Sequence, residues 1–172
     1  MQLSFRDMKR LIFVRHGRAE ESHPQFTDLE RSLTAKGKIV SEQMAVKLTE
    51  KKVVPGVYIS SPAFRALETA LIFARAYEFD PEKIMIRRNL YFNVNLKTLA
   101  EILAEVSDDY DSVILFGHNP SFTEIPDRLC SSGCDFMPKS AIVSLLFKAD
   151  TWAGVMKEKG KQEIYLRPDK SI

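Results

Sequence analysis

Cysteine is nearly absent: Cys130 and Cys134 are the two in 172 residues. Two thiols do not make a disulfide framework, and their C-x3-C spacing has no partner ligands beside it. They read as reduced thiols in a cytoplasmic protein that binds no metal. Long apolar runs are missing as well. No stretch approaches the roughly 18 apolar residues of a membrane helix. Arg6, Asp7, Lys9 and Arg10 also interrupt the start of the chain, where a signal peptide needs an unbroken apolar core. An excess of one charge is lacking too. Lys and Arg number 25 against 23 Asp and Glu, a net of +2. That balance argues against nucleic acid or an anionic membrane as partner. Any anion handled here must be met by locally placed basic residues.

What the chain does have is an alternation of strand and helix patterns. Lys9–Val14 reads as a strand apolar on both faces, as in the middle of a parallel sheet. Thr34–Lys51 places Val40, Met44 and Leu48 at helical spacing. Val57–Ser60 is a short strand ending in SSP, and Pro62 suits the start of a helix over Ala63–Tyr77. In that helix Ala66, Ala70 and Ala74 form a small-residue stripe for close packing. Lys83–Ile86 is a strand, Leu96–Val106 a helix and Ser112–Phe116 a fully apolar strand. A helix runs from near Pro120 to Ser131–Gly133, and Ala141–Phe147 and Glu163–Leu166 close the chain as strands. The expected fold is a three-layer α/β/α sandwich with a mostly parallel central sheet. One domain spans 1–172, with residues 1–8 as an N-terminal extension and Met8 as an alternative start.

In open α/β sheets, ligands gather beyond the carboxyl ends of the strands. Three chemically suggestive segments fall at that edge: Arg15-His16-Gly17, Ser60-Ser61-Pro62-Ala63-Phe64-Arg65, and Gly117-His118-Asn119-Pro120. Two of the three histidines in the chain sit there beside a glycine. Glycine admits close backbone approach to a ligand. The arginine fork matches phosphate oxygens, and imidazole is a nucleophile or donor near neutral pH. Arg65 in the first turn of a helix is odd, because that end favours anions, so it points to a bound anion. Taken together, these residues suggest a phosphoryl-transfer pocket. Singly, Arg15 reads equally well as a structural ion pair and His16 as a strand cap. His23 beside Pro24 reads as solvated, and Glu68 and Thr69 as surface and packing.

These segments, in this order, resemble the histidine phosphatase superfamily and its phosphoglycerate mutase-like fold. DLERSLTAKG (Asp28–Gly37), MPKSAIVSLLF (Met137–Phe147) and the compact length resemble its small SixA-type phosphohistidine phosphatase branch. The resemblance covers most of the chain from Lys9 onward. It implies His16 as the nucleophile that takes the phosphoryl group. Arg15, Arg65 and His118 are then catalytic residues surrounding the phosphate. Arg31, held by Asp28, is implied as a further phosphate contact, with Gly17 and Asn119 also at the phosphate. It implies no metal and no cofactor.

Many members of the larger superfamily carry a glutamate as general acid, whereas Arg87–Lys97 here holds no acidic residue and places Tyr91 about where that acid would lie. A phenol with a pKa near ~10 is a poor donor at pH 7. An alkoxide leaving group, with a pKa on the order of 15, needs a proton far more than an imidazole of pKa ~6.5. A phosphohistidine presented by a partner protein is therefore the expected substrate. Glu20, Glu21, Asp28 and His118 are alternative proton sources, which keeps a phosphomonoesterase acting on a small metabolite in view. A phosphoglycerate mutase fits less well, because the chain lacks room for substrate-enclosing insertions. A non-catalytic phosphate-binding module has little need of a nucleophilic histidine. Asp109–Val113 (DYDSV) mimics the motif of aspartate-nucleophile phosphatases, but it precedes its strand and so lies at the wrong edge.

Overall fold

The computed structural model of the chain describes residues 8–92 and 94–169; most of the expected 1–8 extension lies outside them. Six strands form one sheet: β1 (Lys9–Arg15), β2 (Val57–Ser60), β3 (Met85–Ile86), β4 (Ser112–Gly117), β5 (Ile142–Phe147) and β6 (Lys161–Leu166). Their spatial order is β3-β2-β4-β1-β5-β6. The pairs β3–β2, β2–β4 and β4–β1 are parallel, while β5 and β6 add an antiparallel edge. The helices are α1 (Ala35–Thr49), α2 (Phe64–Ala76), α3 (Leu96–Leu103), α4 (Ser121–Leu129) and the single turn α5 (Trp152–Val155).

The period of two along each strand divides the core into two layers. Leu11, Phe13, Ile59, Val113, Leu115, Val143 and Leu145 face α3, α4 and α5, where Leu99, Ile102, Phe122, Ile125 and Trp152 complete one apolar cluster. Ile12, Val14, Tyr58, Ile114, Phe116 and Ile142 face the other way, onto Met44, Ala45 and Leu48 of α1 and Ala70, Phe73 and Ala74 of α2. This is the expected three-layer arrangement. The alanine stripe of α2 is fully buried, which brings α1 and α2 close together.

Most differences from the expected boundaries are a few residues at the ends. Thr34 caps α1, its side chain accepting from the Gly37 amide, and Ala63 stands just before α2. The strand expected over Lys83–Ile86 shrinks to two residues, because Pro81–Lys83 forms a 3-10 turn. The helix expected to reach Ser131–Gly133 stops at Leu129, and Cys130 instead forms an isolated bridge with Gly160. Helix α5 and the 3-10 turns at Asp28–Glu30 and Arg88–Leu90 are too short to show a hydrophobic period. Asp111 of the DYDSV stretch lies at the amino end of β4 and pairs with the buried Lys9, away from the candidate site.

Parallel pairing aligns the strand ends that matter. Arg15 lies opposite Gly117 and Ser60 opposite Phe116, so His16, Ser61 and His118 all emerge at one edge. The loop after β1 packs tightly against α1. A Cβ on Gly37 would lie 2.1 Å from the Arg18 carbonyl oxygen, a backbone atom that cannot step aside cheaply. Gly37→Ala should therefore lower stability by about 1–3 kcal/mol, even though alanine favours a helix by ~1 kcal/mol. Urea denaturation checks this; an unchanged or raised midpoint would contradict the packing described.

Candidate active site

His16 follows directly on β1, its amide donating to the Gly117 carbonyl at 3.1 Å. The side chain is buried, and Nδ1 lies 2.7 Å from the Gly17 carbonyl oxygen. A carbonyl only accepts, so Nδ1 carries the proton and Nε2 keeps its lone pair. Gly17 is fixed in turn, its amide donating to Thr69 Oγ1, which donates to the Arg65 carbonyl one turn back along α2. The His118 ring lies 5.0 Å from that of His16 between centroids, and its Nε2 shares a 2.7 Å hydrogen bond with Ser61 Oγ. Arg15 Nη1 donates to the Met137 carbonyl at 3.0 Å, with the guanidinium carbon 5.7 Å from the centre of the Phe136 ring. Arg15 Nε and His118 Nδ1 are buried without a protein partner. Buried polar groups are normally paired, so these two orphans suit an anionic ligand.

Asp28 is the hub of the opposite side. Its Oδ2 accepts from Arg65 Nη2 at 2.8 Å and from the Tyr91 hydroxyl, and its Oδ1 accepts from Arg31 Nη1 at 2.8 Å. Its backbone carbonyl takes a second bond from Arg65, at 2.6 Å. The anion that the cationic start of α2 meets within the protein is thus Asp28. Burial works against ionisation of Asp28, yet hydrogen bonds from Tyr91, Arg31 and Arg65 hold its carboxyl well below the usual carboxylate range. The Tyr91 phenol is pushed up, by burial first and then by its bond to the carboxylate.

Both histidines are held neutral. His16 is lowered to about 3, by burial first and then by His118, Arg65 and Arg15, with the Gly17 carbonyl opposing. Burial, Arg65 and Arg15 lower His118 to about 4, against the pull of Asp28. The site therefore presents uncharged imidazoles among fixed positive charges, which is suited to receiving an anion beside a nitrogen lone pair.

Arg15, His16, Arg65 and His118 come together as the sequence suggests, and Arg31 joins them through Asp28. Gly17 and Asn119 are both held by bonds within the protein. Both backbone groups of Gly17 are engaged within the protein. What excludes a side chain there is α1: a Cβ would lie 2.6 Å from Ser41 Oγ. Asn119 Nδ2 donates to the Met137 carbonyl and its Oδ1 accepts from Thr123 Oγ1, so its side chain braces the segment that holds Arg15. Thr69 and Glu68 are also more than packing and surface. Thr69 anchors Gly17, and Glu68 accepts from the Leu33 amide. Ser61 and Met137 lie within segments marked in the sequence, but nothing there assigns Ser61 to His118 or the Met137 carbonyl to Arg15. Among the described residues, no three or more of His, Cys, Asp and Glu are placed to hold a metal ion, and no helix is long and apolar enough to cross a membrane.

The fold and this edge define the class. The family model of the histidine phosphatase superfamily (branch 1) matches residues 11–118; the chain belongs to that superfamily and is a phosphatase-type hydrolase. No curated protein matches it. Among solved structures, the protein histidine phosphatase SixA complexed with tungstate superposes with a TM-score of 0.78 at 21% identity, over 92% of this chain and 97% of that one. A protein from Agrobacterium tumefaciens provisionally named phosphohistidine phosphatase SixA gives 0.76 at 22%, over 93% and 98%. A mycobacterial glucosyl-3-phosphoglycerate phosphatase gives 0.62 at 13%, over 92% and 98%. The fold is that of this group.

Burial of neutral His16 has a consequence for stability. Its value in the folded protein, about 3, lies below the ordinary ~6.5 of an unfolded chain. As pH falls, the unfolded state takes the proton first, so folding stability declines progressively from about pH 6.5 toward 3. His16→Asn should flatten that decline by up to about 1.4 kcal/mol per pH unit. Urea unfolding at pH 7, 5.5 and 4.5 measures it; identical slopes for both proteins would contradict a buried neutral imidazole.

Proposed function

We propose that the protein hydrolyses phosphohistidine on a partner protein, through a covalent phosphoryl group on His16. Phosphate oxygens are taken by Arg15 and Arg65 with His118, and Arg31 adds charge at the rim. The His16 Nε2 lone pair attacks phosphorus while the substrate's P–N bond breaks. The leaving imidazole, protonated by solvent at its other nitrogen, departs as a neutral ring. Water then cleaves the His16 phosphoramidate and releases orthophosphate. The guanidinia stabilise charge on the equatorial oxygens in both steps.

The observation that carries the substrate class is the proton inventory of the site. The residue beside Arg65 and His118 where an acid would serve is Tyr91, its ring 5.4 Å from that of His118. Its hydroxyl is committed to a carboxylate and its proton is bound more tightly than in free tyrosine. Asp28 is ionised, and both histidines are neutral. Such a site serves P–N cleavage and handicaps esters by the roughly 10²–10⁴ that a positioned acid contributes.

A second reading has one observation in its favour. A groove of about 620 Å³ adjoins the site, lined by Glu20, Glu21, His23, Phe26, Arg31 and Phe64 among others. It has room for a small phosphorylated metabolite, and Glu20 or Glu21 would be its acid. Comparing kcat/KM on a histidine-phosphorylated protein with a panel of sugar and glycerate phosphates separates the two. The expected result is a preference for phosphohistidine of about 10² or more, with turnover abolished in His16→Ala. Faster ester cleavage, lost in Glu20→Gln or Glu21→Gln, would establish the second reading instead.

A further inference from the structure

On the Arg15 side of the site lies a different groove, of about 430 Å³, lined by Arg15, Phe136, Pro138, Lys139, Arg167 and Pro168. Three of its six residues are cationic and none is acidic, in contrast to the glutamate-lined groove on the Arg31 side. We propose that this basic groove receives acidic side chains that flank the phosphohistidine of the partner protein, an inference that rests on the function proposed above.

Several features converge on it. Several basic side chains elsewhere find carboxylates, as Arg10 does with Glu163, Lys47 with Asp169, Arg87 with Glu105 and Arg31 with Asp28. Among the described residues, Lys139 and the neighbouring Arg18 form no such pair. Lys139 instead feels the positive charge of Arg15, Arg18 and Arg31, which, after burial, lowers its affinity for a proton. Like charges gathered without a counterion are unfavourable, and an incoming carboxylate relieves that repulsion. A phosphoryl dianion held between Arg15 and Arg65 leaves the outer cations uncompensated.

The groove is also built to keep its shape. The Met137 carbonyl takes bonds from Arg15 and Asn119, and the Phe136 carbonyl takes the Tyr165 hydroxyl at 2.8 Å. Phe136 is 64% exposed and lies beside the Arg15 guanidinium. Prolines at 138 and 168 limit backbone freedom. A preformed wall loses little entropy on docking.

The test uses fluorescein-labelled peptides carrying a non-hydrolysable phosphonate analogue of phosphohistidine, identical except for flanking glutamates or flanking lysines. Anisotropy gives their Kd values on the full chain. The glutamate peptide should bind about tenfold more tightly at low ionic strength. That preference should shrink in 0.5 M salt, and should vanish or reverse in the K139E/R167E double variant, with circular dichroism confirming that the variant is folded. Equal binding by wild type, or a preference that survives charge reversal, would overturn the inference and leave the phosphohistidine reading standing. Failure of both peptides to displace orthophosphate would instead overturn the reading, and this inference with it.

Discussion

An imidazole held neutral at the end of a buried strand is the constraint on which this site depends. Removal from water and positive charge on two arginines nearby keep it so, while a proton on Nδ1 committed to the Gly17 carbonyl fixes the tautomer, although that bond by itself favours the charged ring. Each has its own support in the fold. Gly17 is pinned by Thr69 and pressed against α1, so the carbonyl that fixes the tautomer cannot swing away. Parallel pairing of β1 with β4 sets the depth at which His16 and His118 emerge. Helix α2 supplies both Thr69 and Arg65, four residues apart on one face. A change at any of these supports reaches the Nε2 lone pair without touching it.

Asp28 balances the other side of the site. Unpaired guanidinia in a half-buried cleft would repel one another and drift. One carboxylate accepting from Arg31, Arg65 and Tyr91 orients both arginines and offsets part of their charge. That arrangement has a chemical side effect. By taking up the Tyr91 hydroxyl and remaining ionised itself, Asp28 removes the two best-placed proton donors. The interaction that orients the arginines thereby also disfavours leaving groups that need an acid. Substrate preference, on the proposed reading, follows from how the arginines are held.

The sequence made the sheet and the four principal site residues legible because both depend on strong local signals. Apolar runs ending in Arg15-His16-Gly17, Ser60-Ser61-Pro62 and Gly117-His118-Asn119 locate the edge whatever the details of the loops. Legibility failed where function depends on partners distant in sequence. Thr69 looks like any helix residue until its hydroxyl is seen on Gly17, 52 positions away. The side chain of Asn119 braces the Met137 carbonyl, 18 positions away, a contact that nothing beside His118 announces. At Gly17 the packing of α1 leaves no room for a side chain, which the residues around it in sequence do not reveal. The hub at Asp28 could be suspected for Arg31 alone; its bonds to Arg65 and Tyr91 join residues 37 and 63 positions apart.

The most direct test is to find which nitrogen carries the phosphoryl group. Protein labelled with ¹⁵N, mixed with a histidine-phosphorylated substrate and quenched in alkali within milliseconds, preserves a phosphohistidine for NMR through its ³¹P–¹⁵N coupling. The account predicts phosphorus on Nε2 of His16. Phosphorus on Nδ1, on His118, or on no residue at all would contradict it.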